Sequence, residues 1–205
     1  MKIYKLIFTI LIFINPFIIN GQEKYTTYYN SYDGKIYDIS IELQDNGDYE
    51  LYIDMSSLDK LSKSGGVIIE KKALNGFINT LNESKLKYEE WVKVAKTNNI
   101  LSLNKDMPYS TIFIASYFNY MGVSIYEWHL SAFVKCSYNF KILNGKYFMD
   151  IQTPQLISSS NEYIKHDGFI IRFSTSNDIL KFINTLSIDK IDNYISKPKE
   201  TDLFK

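Results

Sequence analysis

The chain is short of the residues on which most recognisable protein chemistry depends. Its 205 residues include one cysteine, two histidines and one arginine. A lone Cys136 forms no internal disulfide, so the fold must be held by packing, and the thiol is either buried or available for dimerisation. With only Arg172 and a formal net charge of zero, the chain lacks the clustered basic excess of a nucleic-acid binder. No Gly-x-Ser-x-Gly elbow marks a hydrolase nucleophile. Gly65-Gly66 is not followed by the Lys-Ser/Thr of a phosphate loop.

What is there begins with a leader. Lys2 and Lys5 precede a stretch from Leu6 to Ile19 that is apolar except for Thr9, Asn15 and Pro16. This is the form of a secretory signal peptide over 1–21, with cleavage after Gly21 and Gln22 as the new N-terminus. A membrane span needs about 20 apolar residues, and Pro16 interrupts this run too early, so no integral span is expected after cleavage. No cysteine lies near the cut, which excludes a lipid-modified N-terminus. Loss of Lys2 and Lys5 from 23 basic residues leaves 21 against 23 acidic ones, a net charge of −2. Residues 22–205 have the length of one α+β domain and can bury a sizeable core.

Tyr37, Ile39, Ile41 and Leu43 alternate with polar residues, as do Tyr49, Leu51, Ile53 and Met55, and Asp45-Asn46-Gly47-Asp48 lies between them. That pattern predicts a hairpin. The apolar run Val67 to Ile69 reads as a strand covered on both faces. Leu74, Phe77, Ile78 and Leu81 recur at helical spacing, and the stripe continues through Tyr88, Trp91, Val92 and Ala95 until Asn98 and Asn99. A similar order recurs later. Tyr138, Phe140 and Ile142 meet Tyr147, Met149 and Ile151 across Asn144-Gly145; a polar loop reaches Asp167-Gly168; then come Phe169 to Ile171 and a helix with Ile179, Phe182, Ile183 and Leu186, capped by Thr175 and Asp178. Phe-Ile-Asn-Thr-Leu stands at both 77–81 and 182–186. The order points to a tandem β-β-β-α duplication with halves 35–100 and 131–196, the alternative being two independent uses of a common pattern. Between them, 111–118 and 124–130 predict a further hairpin. From Tyr126 to Ile142 a continuous alternation puts Trp128, Leu130, Val134 and Cys136 on the apolar face and Glu127, His129 and Ser131 opposite, although a strand that long usually carries a bulge. A short helix over Ile188, Ile191, Tyr194 and Ile195 closes the chain. The expected architecture is a mainly antiparallel sheet packed against one long and one or two shorter helices.

The 17 tyrosines and 13 phenylalanines suit a recognition surface, although an AT-rich genome produces the same bias. With the leader ending Asn20-Gly21-Gln22, Lys87-Tyr88-Glu89-Glu90-Trp91, and the tail from Lys197-Pro198-Lys199 to Leu203-Phe204-Lys205, the chain resembles uncharacterised exported proteins of Bacteroidetes type. The resemblance implies export and no particular activity.

Four groupings invite a chemical reading. Glu127 and His129, at i and i+2 on one strand face, have ligand spacing, but a solvated face produces that pair routinely. His166-Asp167 with Ser158, Ser159 and Ser160 supplies the residue types of a triad without its signature. Asp54 and Asp150, in matching places of the two halves, would form a carboxylate pair if the halves packed symmetrically, and otherwise are solvent-facing acids at strand ends. Trp91 reads as a residue at the core edge and Trp128 as core. None of these specifies a catalytic, metal or cofactor-binding residue. The favoured reading is a periplasmic or secreted, non-catalytic binding or protein-interaction domain, using a sheet face or the loops at 56–66 and 155–168 to hold an unknown protein or small ligand. A secreted hydrolase or an inhibitor of a secreted enzyme is the alternative.

Overall fold

A computed structural model describes residues 22–108, 113–121 and 126–197. The predicted leader, the tail beyond 197, and parts of the hairpin predicted over 111–130 lie outside the described residues. In chain order the elements are β1 (Glu23–Asn30), β2 (Lys35–Leu43), β3 (Tyr49–Asp54), β4 (Ser56–Ser57), β5 (Gly65–Glu70), α1 (Lys71–Thr97), β6 (Ser102–Asp106), β7 (Phe113–Met121), β8 (Tyr126–Lys135), β9 (Ser137–Leu143), β10 (Lys146–Gln152), β11 (Leu156–Ile157), β12 (Lys165–His166), β13 (Phe169–Phe173), α2 (Ser176–Thr185) and α3 (Ile188–Ile195). A six-stranded sheet runs β1-β2-β3-β5-β7-β8, a five-stranded sheet runs β4-β13-β10-β9-β6, and β11 pairs with β12. Every pairing among them is antiparallel. The fold is α+β, as the sequence pattern implies. Among the described residues no helix is long and apolar enough to cross a membrane.

Local chemistry accounts for most of these elements. Asn144 and Gly145 both take positive φ, 50° and 74°, which is the geometry a two-residue hairpin needs to match the twist of its strands. In β3, Tyr49, Leu51 and Ile53 are buried while Glu50, Tyr52 and Asp54 face the other way. β5 is buried over its first five residues, as a strand covered on both sides should be. Gly66 is required there because a Cβ would fall onto the Ile53 carbonyl. α1 buries Leu74, Phe77, Leu81, Tyr88 and Ala95 along one stripe and touches β3 and β5 of one sheet and β9 and β10 of the other. It is therefore the shared filling of both sheets, and the buried apolar residues form one continuous cluster. Burial pushes the Cys136 thiol within it up to about 12, which makes it an inert core side chain.

The sheets are also joined through the chain. Met55 carries β3 directly into β4, which pairs with β13 of the other sheet. Beside it Asn30, fully buried, donates from Nδ2 to the Ile170 carbonyl at 2.9 Å and accepts at Oδ1 from the Arg172 N–H at 2.9 Å. One side chain thus serves as a strand neighbour for β13 where β4 has run out.

Three expectations change. No element is predicted before Lys35 or between Asn99 and Thr111, yet β1 and β6 are there. Both are edge strands: β1 shifts register between Lys24 and Thr26 and buries little besides Tyr28 and Asn30, and β6 is mostly exposed, so neither shows a clean alternation. The continuous parity from 126 to 142 breaks. Ile114 pairs with Val134 but Ser116 with Ser131, so Ala132 and Phe133 together oppose Ala115 in a bulge, with Phe133 at φ 56°. The extra residue turns every side chain before it to the other face. His129 and Ser131 are buried, whereas Trp128, expected in the core, is 39% exposed. Finally, each half supplies a three-stranded antiparallel ladder to a different sheet. Ile53 lies between Ile39 and Val67, and Ile151 between Tyr138 and Ile171. Asp54 lies in β3 of the six-stranded sheet and Asp150 in β10 of the five-stranded one.

Candidate functional site

The loops at 56–66 and 155–168 meet. The Leu58 N–H donates to the Gly168 carbonyl at 2.9 Å, and the Asp167 N–H donates to Asp59 Oδ2 at 3.3 Å. The ends of β7 and β8 join the same corner: Ser62 Oγ donates to the Asn119 carbonyl, and the Ser159 N–H donates to the Leu130 carbonyl at 2.7 Å. This corner contains both histidines of the chain, each close to the fully buried Phe118 ring, with centroid separations of 5.6 Å to His129 and 5.3 Å to His166.

His166 is 0% exposed and stacks on Phe169 with centroids 4.3 Å apart. The Gly168 N–H donates to its Nδ1 at 3.0 Å, so that nitrogen carries the lone pair and the neutral ring holds its proton on Nε2. Nε2 faces Ser57 Oγ at 3.2 Å, and the Ser57 hydroxyl in turn donates to the Ser62 carbonyl at 2.6 Å. A catalytic serine gives its proton to a histidine whose other nitrogen donates to a carboxylate. Here both directions are reversed. The Asp59 carboxylate is occupied by the backbone N–H groups of Leu61, Ser62 and Asp167, which outweigh the effect of burial and hold it below the ordinary carboxylate range. Burial lowers the His166 pKa against the opposing pull of Asp59, a backbone hydrogen bond at Ser62, and Asp167. The arrangement is a neutral, buried structural imidazole.

His166-Asp167 and Ser158, Ser159 and Ser160 form no triad, in line with the missing signature. Ser158 instead bonds His129, Oγ to Nδ1 at 3.1 Å, and Ser160 Oγ at 3.0 Å. His129 Nε2 is buried without a hydrogen-bond partner, and burial lowers the pKa of this ring, with Glu127 opposing. Glu127 is exposed while His129 is buried, so the two do not present a shared open site. Among the described residues no group of three or more His, Cys, Asp or Glu is placed to hold a metal.

The acids separate as well. Asp150 is buried and bidentate to Arg172, with both contacts at 2.6 Å, and the guanidinium lies 5.0 Å from the ring centroids of Tyr32 and Phe148. It is not a solvent-facing acid. Asp54, on the other sheet, accepts from the Tyr117 hydroxyl; burial raises its carboxyl above the ordinary range, with Tyr117 lowering it and Asp38 raising it. Trp91 is half-buried on α1, edge-on to Phe140 at 5.6 Å, where a core-edge residue should be. Two surface depressions, of about 320 Å³ beside Thr27, Tyr29 and Lys181 and about 480 Å³ around Asn46 and Lys72, include neither histidine.

Comparison with known proteins returns nothing to set beside this geometry. No family model matches the chain, and no curated protein or solved structure matches it. The site must be read from its own residues.

Those residues direct attention to the outward face of the six-stranded sheet. β2 and β3 present Asp38, Glu42, Glu50 and Asp54 there, opposite in direction to the buried Ile39, Ile41, Leu51 and Ile53. β7 and β8 present Tyr117, Met121, Trp128 and Leu130, of which Met121, Trp128 and Leu130 are exposed, and Phe133 at the bulge is 82% exposed. Sequence reasoning missed this face because it assigned Trp128 and Leu130 to the core. The signal was the length of the alternation itself, which is too long for one unbroken strand.

Proposed function

We propose that this chain is an exported, non-catalytic protein-interaction domain that engages its partner through the outward face of β7 and β8. The observation that carries the reading is the Ala132–Phe133 bulge. It holds Phe133 in a left-handed backbone conformation that costs a non-glycine residue about 1 kcal/mol or more, and it turns Trp128 and Leu130 out to solvent beside it. Large apolar side chains in such a cluster are the anchors around which interfaces form. The carboxylates of β2 and β3 flank them on the same face, where Lys24 is bonded to Asp38 at 2.7 Å. The partner that fits is a protein surface with an apolar pocket and basic side chains at its edge. Export, to the periplasm or outside the cell, rests on the leader over 1–21, and the matching ladders favour an ancestral duplication of β-β-β-α units.

The test is affinity capture from the exported fraction of the producing cell, comparing the native protein with Trp128→Ser and Phe133→Ser variants whose far-ultraviolet circular dichroism is unchanged. Loss of a hot-spot anchor weakens binding by about 30-fold or more. A partner lost on either substitution, and restored in affinity by Phe133→Leu, supports the reading. Retention of every captured protein by both variants overturns it, as does hydrolysis of an ester, peptide or glycoside panel that disappears in Ser57→Ala.

A further inference from the structure

We propose that segment 155–168 is an acid-released clamp, held to β8 of the six-stranded sheet by His129 and to β4 of the five-stranded sheet by His166 only while both rings are neutral. The two contacts run in opposite senses. His166 belongs to the segment and reaches Ser57 on β4; His129 belongs to β8 and reaches Ser158 on the segment. Phe118, at 0% exposure, neighbours both rings, with its centroid 5.6 Å from His129 and 5.3 Å from His166. The segment is thus fastened at both ends of its polar stretch to groups outside it.

Neither ring has a place for a second proton. On His166 the vacant nitrogen, Nδ1, accepts the Gly168 N–H; a proton there would set two N–H groups against each other and break the bond that aligns Gly168, whose carbonyl accepts from Leu58. On His129 the buried Nε2 has no acceptor, so an imidazolium would leave an N–H donor unpaired in an apolar surrounding, a costly state.

The charged and titratable groups around each ring do not relieve this. Around His166 these are Asp59 on the 56–66 loop and Asp167 beside it, and both favour the charged ring. Asp59, however, is already bonded by three backbone N–H groups, and the Lys63 ammonium reaches the Asp59 carbonyl at 3.2 Å, bringing positive charge to the same side. Phe118 and Phe169 cover the ring faces. Around His129 the acid that acts on it is Glu127 of its own strand; Tyr120 of β7 stands edge-on at 6.2 Å, and the segment offers Ser158 and Ser160.

Burial lowers both imidazole pKa values, so the sign is fixed. The clamp is fully stable above the ordinary histidine value of about 6.5 and weakens as pH falls toward the lowered folded values. Each proton taken up on opening multiplies the opening constant by at most about tenfold per pH unit, hence up to about 100-fold for the pair. No other imidazole exists in the chain, and carboxylates of ordinary pKa stay ionised down to about pH 5.

The test is hydrogen exchange followed by mass spectrometry on the purified protein from pH 7.5 to 5.0, corrected for the intrinsic pH dependence of exchange. Protection of the Ser158, Ser159 and Gly168 amides should fall at least tenfold more than that of Ile151 and Ile171 in the β10–β13 ladder. His129→Phe should flatten the pH slope of the segment by about half. Equal loss across segment and ladder, or protection that is unchanged down to pH 5.0, overturns the proposal. Should His129→Phe fail to fold, imidazole resonances of the native protein decide the matter: both rings titrating below pH 6 support the clamp, and either one titrating at or above 6.5 refutes it.

Discussion

The two halves of the chain build the same three-stranded ladder and then spend its outward side differently. Inward, the rungs are alike: Leu51 lies between Ile41 and Ile69 in the first half, and Met149 between Phe140 and Phe173 in the second. Outward, the rung Tyr52–Ile68 is answered by Asp150–Arg172. The first pair lies on a sheet face that continues into exposed aromatic residues; the second is roofed by Tyr32 and Phe148. Burial constrains the inward rungs to apolar side chains of similar volume. The outward rungs are free to take whatever the neighbouring element demands, and there the halves diverge.

The sharpest way to break the comparison is at that outward rung. Asp150→Leu should cost about 3–5 kcal/mol, because it strands a buried guanidinium, and denaturant unfolding should show it as a lowered midpoint at unchanged slope. The double change Asp150→Tyr with Arg172→Ile, which copies the first half's rung into the second, should be far milder than Asp150→Leu and is expected to leave stability near that of the native chain. If the double variant is as damaged as the single one, the rungs are not equivalent. Next in size, Ile53→Ala and Ile151→Ala should each cost about 3 kcal/mol, typical of a fully buried large-to-small change, and should agree within about 1 kcal/mol. A wider gap would mean that the inward faces are not matched. The smallest effect concerns the helices that follow. Thr175 Oγ1 accepts from the Asp178 N–H at 3.1 Å at the start of α2, whereas Glu70 before α1 makes no side-chain cap. Thr175→Ala should lose about 1 kcal/mol and Glu70→Ala a few tenths at most.

Where period and turn chemistry act locally, the fold was legible. The hairpins around Gly47 and Asn144-Gly145, the doubly covered β5, the long α1 and the Thr175 cap all follow from spacing within some ten residues. The corner of the candidate site was not legible, because its pairings are distant: Ser57 meets His166 across 109 residues and Ser158 meets His129 across 29. The grouping of His166 with Ser158 relied on nearness in sequence, and folding separated them. The outward face was lost for a different reason. A single inserted residue at the Ala132–Phe133 bulge inverts the inside and outside of everything before it, so a correct alternation gave the wrong face for Trp128, Leu130 and His129.

Asn30 has a consequence for the order in which the molecule assembles. Its bond to Ile170 closes a separation of 140 residues, and Ser56 and Ser57 likewise find their strand partners only in β13. Among the described residues, the first strand in the chain, β1, therefore cannot be finished until the last one, β13, is available. Contacts of such long range slow folding. A chain built this way stays unfinished while it is being made, and its two sheets lock together only when β13 has joined them.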